Sequence, residues 1–111
     1  MTSSLRIAVV ANVNSIHTTR WVNWLRGQGH KVQIFSLNEG ENCIYFGPEP
    51  ALDRSLIFNL GSAVRSTTKK LQNEIDTFEP DIVHGFSLVS HGMYSSRISN
   101  FPKVVTAMGS D

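Results

Sequence analysis

The side chains with chemical potential in this sequence are four histidines, a run of Asn, Ser and Thr residues, and one cysteine. Asn12 to Thr19 (NVNSIHTT) sets amides and hydroxyls beside His17. If a helix starts within this run, its free backbone N–H groups and dipole favour an anion such as phosphate, and Ser15, Thr18 and Thr19 add donors. The same residues also fit a plain structural role, with Ser15 capping the helix and Asn12 and Asn14 satisfying turn backbone. His17 falls in the first helical turn. The positive dipole end there keeps an imidazole neutral and able to accept a proton; the alternative is a surface histidine beside a capping loop.

His84 lies inside Asp81 to Phe86 (DIVHGF) and reads as a satisfied histidine near the core, whereas His91 opens a helix and is a loop candidate. Without paired carboxylates or cysteine partners the histidines make no metal set, and Cys43 reads as a half-buried small residue near a strand. Asp81 follows Glu79-Pro80 and shapes a turn. Trp21 and Trp24 are core or interface aromatics first and sugar-stacking platforms second; Trp21, with Arg20 and Arg26, faces either the core or lipid headgroups. No G-x-G-x-x-G fingerprint or P-loop lysine is present, which excludes classical dinucleotide binding and ATP hydrolysis.

The elements that position these groups alternate. Leu5 to Ala11 is an apolar, β-branched strand ending in a polar turn. Ile16 to about Gly27 is a helix, with Trp21, Trp24, Leu25 and Gln28 at helical spacing and Gly27 and Gly29 as stop signals. Lys31 to Leu37 is a second strand, Ile44 to Phe46 a short third, and Gly47-Pro48-Glu49-Pro50 a firm stop. Leu52 to Leu60 is ambiguous. Ser62 to Phe78 is an amphipathic helix with Val64, Thr68, Leu71, Ile75 and Phe78 on one face, ended by Pro80. Asp81 to Phe86 is the fourth strand, His91 to Ser99 a short helix capped by Ser90, and Lys103 to Ala107 the fifth strand.

This alternation predicts a three-layer α/β/α domain with a Rossmann-like parallel sheet in strand order 3-2-1-4-5, residues 1–111 forming one domain. Ligands bind such sheets beyond the carboxyl ends of the strands, where strand order reverses. Three loops converge there: Asn12 to Thr19, His84 to His91 with Ser87, and Met108 to Asp111. The candidate ligand-facing residues are therefore Asn12, Asn14, Ser15, His17, Thr18, Ser87, His91, Gly109, Ser110 and Asp111.

Length and composition agree with one domain: 111 residues, 41% hydrophobic, 17% charged, net charge +1. Basic residues are scattered, with no run longer than Lys69-Lys70, so nucleic acid is not an expected partner. No apolar stretch spans a bilayer and Met1 to Arg6 is no signal peptide, so the chain reads as cytoplasmic, with at most peripheral contact at the inner membrane face.

Three stretches resemble a known family: RIAVVANVNSIHTTRWVNWLRGQGHKVQIFSL (Arg6 to Leu37), EPDIVHGF (Glu79 to Phe86) and KVVTAMGSD (Lys103 to Asp111). In order and spacing they are similar to the N-terminal Rossmann-like domain of GT-B glycosyltransferases of the retaining family 4 group. The resemblance implies a two-domain enzyme that moves a sugar from a nucleotide-sugar to an acceptor in the cleft, this half holding the acceptor. It implies that Asn14 and Ser15 occupy the first loop near the donor diphosphate, His17 the helix start beside it, and Gly109, Ser110 and Asp111 the loop facing the cleft. Many relatives have paired glycines where this chain has Asn14-Ser15, a histidine where it has Met108, and a second histidine where it has Phe86.

No counterpart of the family's donor domain follows Asp111, so no catalytic residue and no cofactor is assigned, and the fragment alone is expected to be inactive. Stopping after the fifth strand leaves a free sheet edge, through which a homodimer is expected. A second class fits the same fold: a noncatalytic binding or regulatory module completing a cleft with a partner chain. A flavodoxin-like or receiver-like domain is a third, although the first strand ends in Ala11-Asn12 rather than in acids.

Overall fold

Arg6–Val10 (β1) is the centre of the fold, because its apolar run leaves no side that water could cover. In a computed structural model, which describes residues 4–47, 60–86 and 91–106, Ala8, Val9, Val10 and Ala11 are all 0% exposed. The chain continues through Ile16–Gly27 (α1), Lys31–Ser36 (β2), Cys43–Tyr45 (β3), Leu60–Phe78 (α2), Ile82–Phe86 (β4), His91–Ser96 (α3) and Lys103–Thr106 (β5). The sheet order is β3-β2-β1-β4-β5, every pair parallel, as the alternation of elements predicts. Val9 stands opposite Ile34 on one side and His84 on the other.

Side chains alternate between two apolar layers. On one face Ala8, Val10, Phe35 and Val83 meet Leu71 and Ile75 of α2 and Tyr94 of α3. On the other, Ile7, Val9, Ile34 and Phe86 meet Val22, with Leu25 packed alongside. The inner face expected for α2 is correct: Leu71 and Ile75 are fully buried, with Val64 and Phe78 against the same cluster.

Four local readings need correction. The buried residues of α1 are Thr18 and Val22, while Trp21 and Trp24 stand 43% and 57% exposed. The helix seats its 18-22-25 stripe on β1 and β2, and tryptophans one position off that stripe turn outward. The third strand runs Cys43–Tyr45, one residue earlier than expected, and leaves Phe46 to enter the core at 2% exposure. The third helix stops at Ser96, because Arg97 and Ile98 donate to the carbonyls three residues back and Asn100 adopts φ 75°. The second long helix starts at Leu60, two residues earlier than expected.

The end of α1 is as its glycines predict. Gly29 sits at φ +91°, its N–H donating to Arg26 O at 3.0 Å while His30 N–H donates to Leu25 O at 3.3 Å. This is a Schellman closure, and it needs a left-handed residue at position 29. Expectations for Pro48 to Asn59, Ser87, Ser90, Ala107, Met108, Gly109, Ser110 and Asp111 lie outside the described residues.

Candidate functional site

At the carboxyl end of β1 the chain must leave the sheet and enter α1, and its polar residues first serve to make that turn. Ser15 N–H donates to Asn12 O at 3.1 Å, and Asn14 N–H to Asn12 Oδ1 at 2.9 Å, so Asn12 builds an Asx turn. Asn14 Nδ2 donates to Glu39 O at 3.1 Å and ties this loop to the one after β2. Beneath it lies a residue that reading by type overlooked. Ser36, 0% exposed, accepts the N–H groups of Val13 at 3.2 Å and Asn38 at 3.0 Å, pinning both loops to the end of β2. The signal was present in the sequence as the one hydroxyl of the KVQIFS strand, at its carboxyl end beside the apolar Ile34-Phe35.

Ser15 occupies the N-cap position with extended backbone (φ −76°, ψ 135°), yet its side chain makes no capping hydrogen bond. The expected capping role is thus filled in backbone conformation but not in side-chain chemistry. The first turn of α1 keeps the positive electrostatic character of a helix start, with no acidic residue to offset it. His17 is exposed in that turn. Asn12, Asn14, Ser15 and His17 therefore gather at the carboxyl end of β1, beside the point where strand order reverses between β1 and β4.

Thr18 does not join them. At 2% exposure it belongs to the core side of α1. Thr19 bends back, donating its hydroxyl to Ser15 O at 3.3 Å. His91 is 6% exposed at the start of α3, and its Nε2 accepts the N–H of Leu37 at 3.0 Å. That bond spans 54 positions of sequence, takes up the Nε2 lone pair and places the ring proton on Nδ1. His84 Nε2 lies 2.6 Å from Thr106 Oγ1, with the ring edge-on to Phe86 at 4.8 Å. Burial pushes its pKa down, so the imidazole stays neutral. Both are satisfied histidines, as expected for His84 but not for His91.

Cys43 is half-buried in β3 and its thiol donates to Gly40 O at 3.4 Å; burial raises its pKa, the larger of two influences, the other being a backbone hydrogen bond at Gly40 that lowers it. Among the described residues no group of three His, Cys, Asp or Glu could hold a metal ion. The assembled groups are amides, a hydroxyl, an imidazole and a helix start. They suit a polar or anionic ligand and contain no acid–base pair of carboxylates.

A five-stranded parallel sheet in the order β3-β2-β1-β4-β5 defines a Rossmann-like domain. The model of the Glycosyl transferase 4-like family matches residues 6–111, and the chain belongs to that family. No curated protein matches the sequence. Among the described residues, no helix is long and apolar enough to cross a membrane.

Proposed function

We propose that residues 1–111 are the acceptor-side domain of a glycosyltransferase that moves a sugar from a nucleotide-sugar to an acceptor. The family match over residues 6–111 carries this reading. The grouping of Asn12, Asn14, Ser15 and His17 at the start of α1 supports it, since a diphosphate or a hydroxyl-rich acceptor finds donors and a positive dipole end there. Ser87, Gly109, Ser110 and Asp111 join the ligand-facing set from the sequence, as residues of the loops that follow the fourth and fifth strands.

The polypeptide by itself turns over no nucleotide-sugar. Its polar groups position and bind, whereas lowering the barrier to sugar transfer also needs preorganised charge against the departing diphosphate. Titration of the isotopically labelled chain with uridine and guanosine diphosphate sugars and with candidate acceptors tests both statements. The expected result is acceptor-dependent shifts at Asn14, Ser15 and His17, with weaker response to the nucleotides. Turnover by the purified chain would refute the second statement, and absence of any shift at the loop with every acceptor would refute the first.

A further inference from the structure

The loop from Asn38 to Asn42 joins two parallel neighbours, β2 and β3, and β3 begins opposite Ile34, so the chain must double back beside Ser36 before it pairs again. All five of its residues are exposed, yet they are densely anchored. Asn38 N–H donates to Ser36 Oγ at 3.0 Å, Asn14 Nδ2 to Glu39 O at 3.1 Å and the Cys43 thiol to Gly40 O at 3.4 Å, while Asn42 adopts φ 59°. Loops held in this way are stiff.

What this stiff loop presses on is the ligand-facing one. A Cβ added at Gly40 would lie 2.5 Å from Val13 Cγ1, 3.1 Å from Asn14 Oδ1 and 3.7 Å from Val13 Cβ. Gly40 does not adopt a positive φ, so glycine is required there for space and not for backbone conformation. It is exposed and belongs to neither core cluster, so the packing of the sheet does not call for the contact. Val13 is caught between two fixed points, Gly40 on its side chain and Ser36 Oγ on its N–H at 3.2 Å. The next residues along the chain are Asn14 and Ser15, the N-cap of α1. A displacement at Val13 therefore passes directly to the groups that meet a ligand.

We propose that the Asn38 to Asn42 loop is the backstop of the ligand-facing loop and that Gly40 is a positioning residue for binding, acting through Val13 and Asn14 without touching the ligand. Its missing side chain sets how far Asn14 and Ser15 stand from the end of β2, and small misplacements of such groups are costly to binding and catalysis. This rests on the reading that the loop of Asn12 to Ser15 meets the ligand, and it names the part of the chain that adjusts that loop.

Gly40→Ala tests it, because the structure gives Val13 room to yield without unfolding: Val13 borders a hollow of about 160 Å³ that Val22, Ile34, Arg26, Glu41 and Asn42 also line. The amide resonances of Val13, Asn14 and Ser15 should shift while the far-ultraviolet dichroism stays native. Inorganic pyrophosphate serves as the probe of diphosphate chemistry at the start of α1, and its midpoint at Ser15 should rise about 2- to 30-fold. Adding Val13→Ala removes Cγ1, the closest atom, and should return both the resonances and the midpoint toward native values, where two independent packing defects would add. The proposal is overturned if Gly40→Ala leaves the Asn14 and Ser15 resonances in place, if it moves them with the pyrophosphate midpoint unchanged, or if Val13→Ala restores neither. A native chain indifferent to pyrophosphate overturns the diphosphate side of the ligand reading instead; the resonances of the ligand-free variants, and their reversal by Val13→Ala, then decide the role of Gly40.

Discussion

His84 and His91 show how one residue type is put to opposite uses by its neighbours. His91 takes the place of a strand partner, its Nε2 accepting the Leu37 N–H at the point where β2 ends. Replacing it with Ala strands a buried donor, and urea titration should show a loss of about 1–3 kcal/mol. His84 is held neutral, with its pKa lowered by burial. The unfolded chain therefore binds a proton more readily than the folded one, so stability is complete above the ordinary histidine range and falls as pH drops through it toward the lowered folded value. Melting temperatures measured from pH 7.5 to pH 5 should decline less in His84→Gln than in the native chain. The residue types at the site were legible in sequence, but which of them face solvent was not. Thr18 and His91 are buried by packing against partners distant in the chain, which no local pattern records.

At the scale of elements, the strand pattern was readable because burial on both faces demands continuous apolar runs, as in β1. The orientation of α1 was not, since tryptophan counts as apolar at any position and only the contacts with β1 and β2 decide which stripe turns inward. The join between β4 and α3 hides another constraint. A Cβ added at Gly85 would lie 1.9 Å from Ser95 Oγ, 2.7 Å from Ser95 Cβ and 3.3 Å from Gly92 Cα. Ser95 is fully buried and donates to Gly92 O at 2.8 Å, so it has nowhere to retreat. Gly85→Ala should thus cost about 1–3 kcal/mol in denaturant titrations. Adding Ser95→Gly should recover part of that loss, because it removes both of the closest atoms. Gly29→Ala should cost about 1 kcal/mol or more for a different reason, the φ of +91° that closes α1.

The whole molecule divides its labour between the two ends of the sheet. At the amino ends the strands are stapled: Arg6 N–H donates to Asp81 Oδ2 at 2.8 Å, Asp81 N–H to Arg6 O at 2.7 Å, and Lys31 N–H to Leu5 O at 2.8 Å. The Arg6 guanidinium binds the Phe78 and Glu79 carbonyls and stacks 4.5 Å from the Phe78 ring centroid, closing the end of α2 onto β1. At the carboxyl ends polar groups are held by Ser36 and Asn12 from below while His17 remains exposed above them. Stability and binding should therefore separate by position. Arg6→Ala should lower stability by about 1–3 kcal/mol while the acceptor-induced shifts of the first loop keep their midpoint. His17→Ala should change stability by no more than about 0.5 kcal/mol yet weaken the response of Asn14 and Ser15 to acceptor. If both variants moved stability and binding together, the two ends would be one cooperative unit and the assignment of the ligand to the carboxyl end would fail.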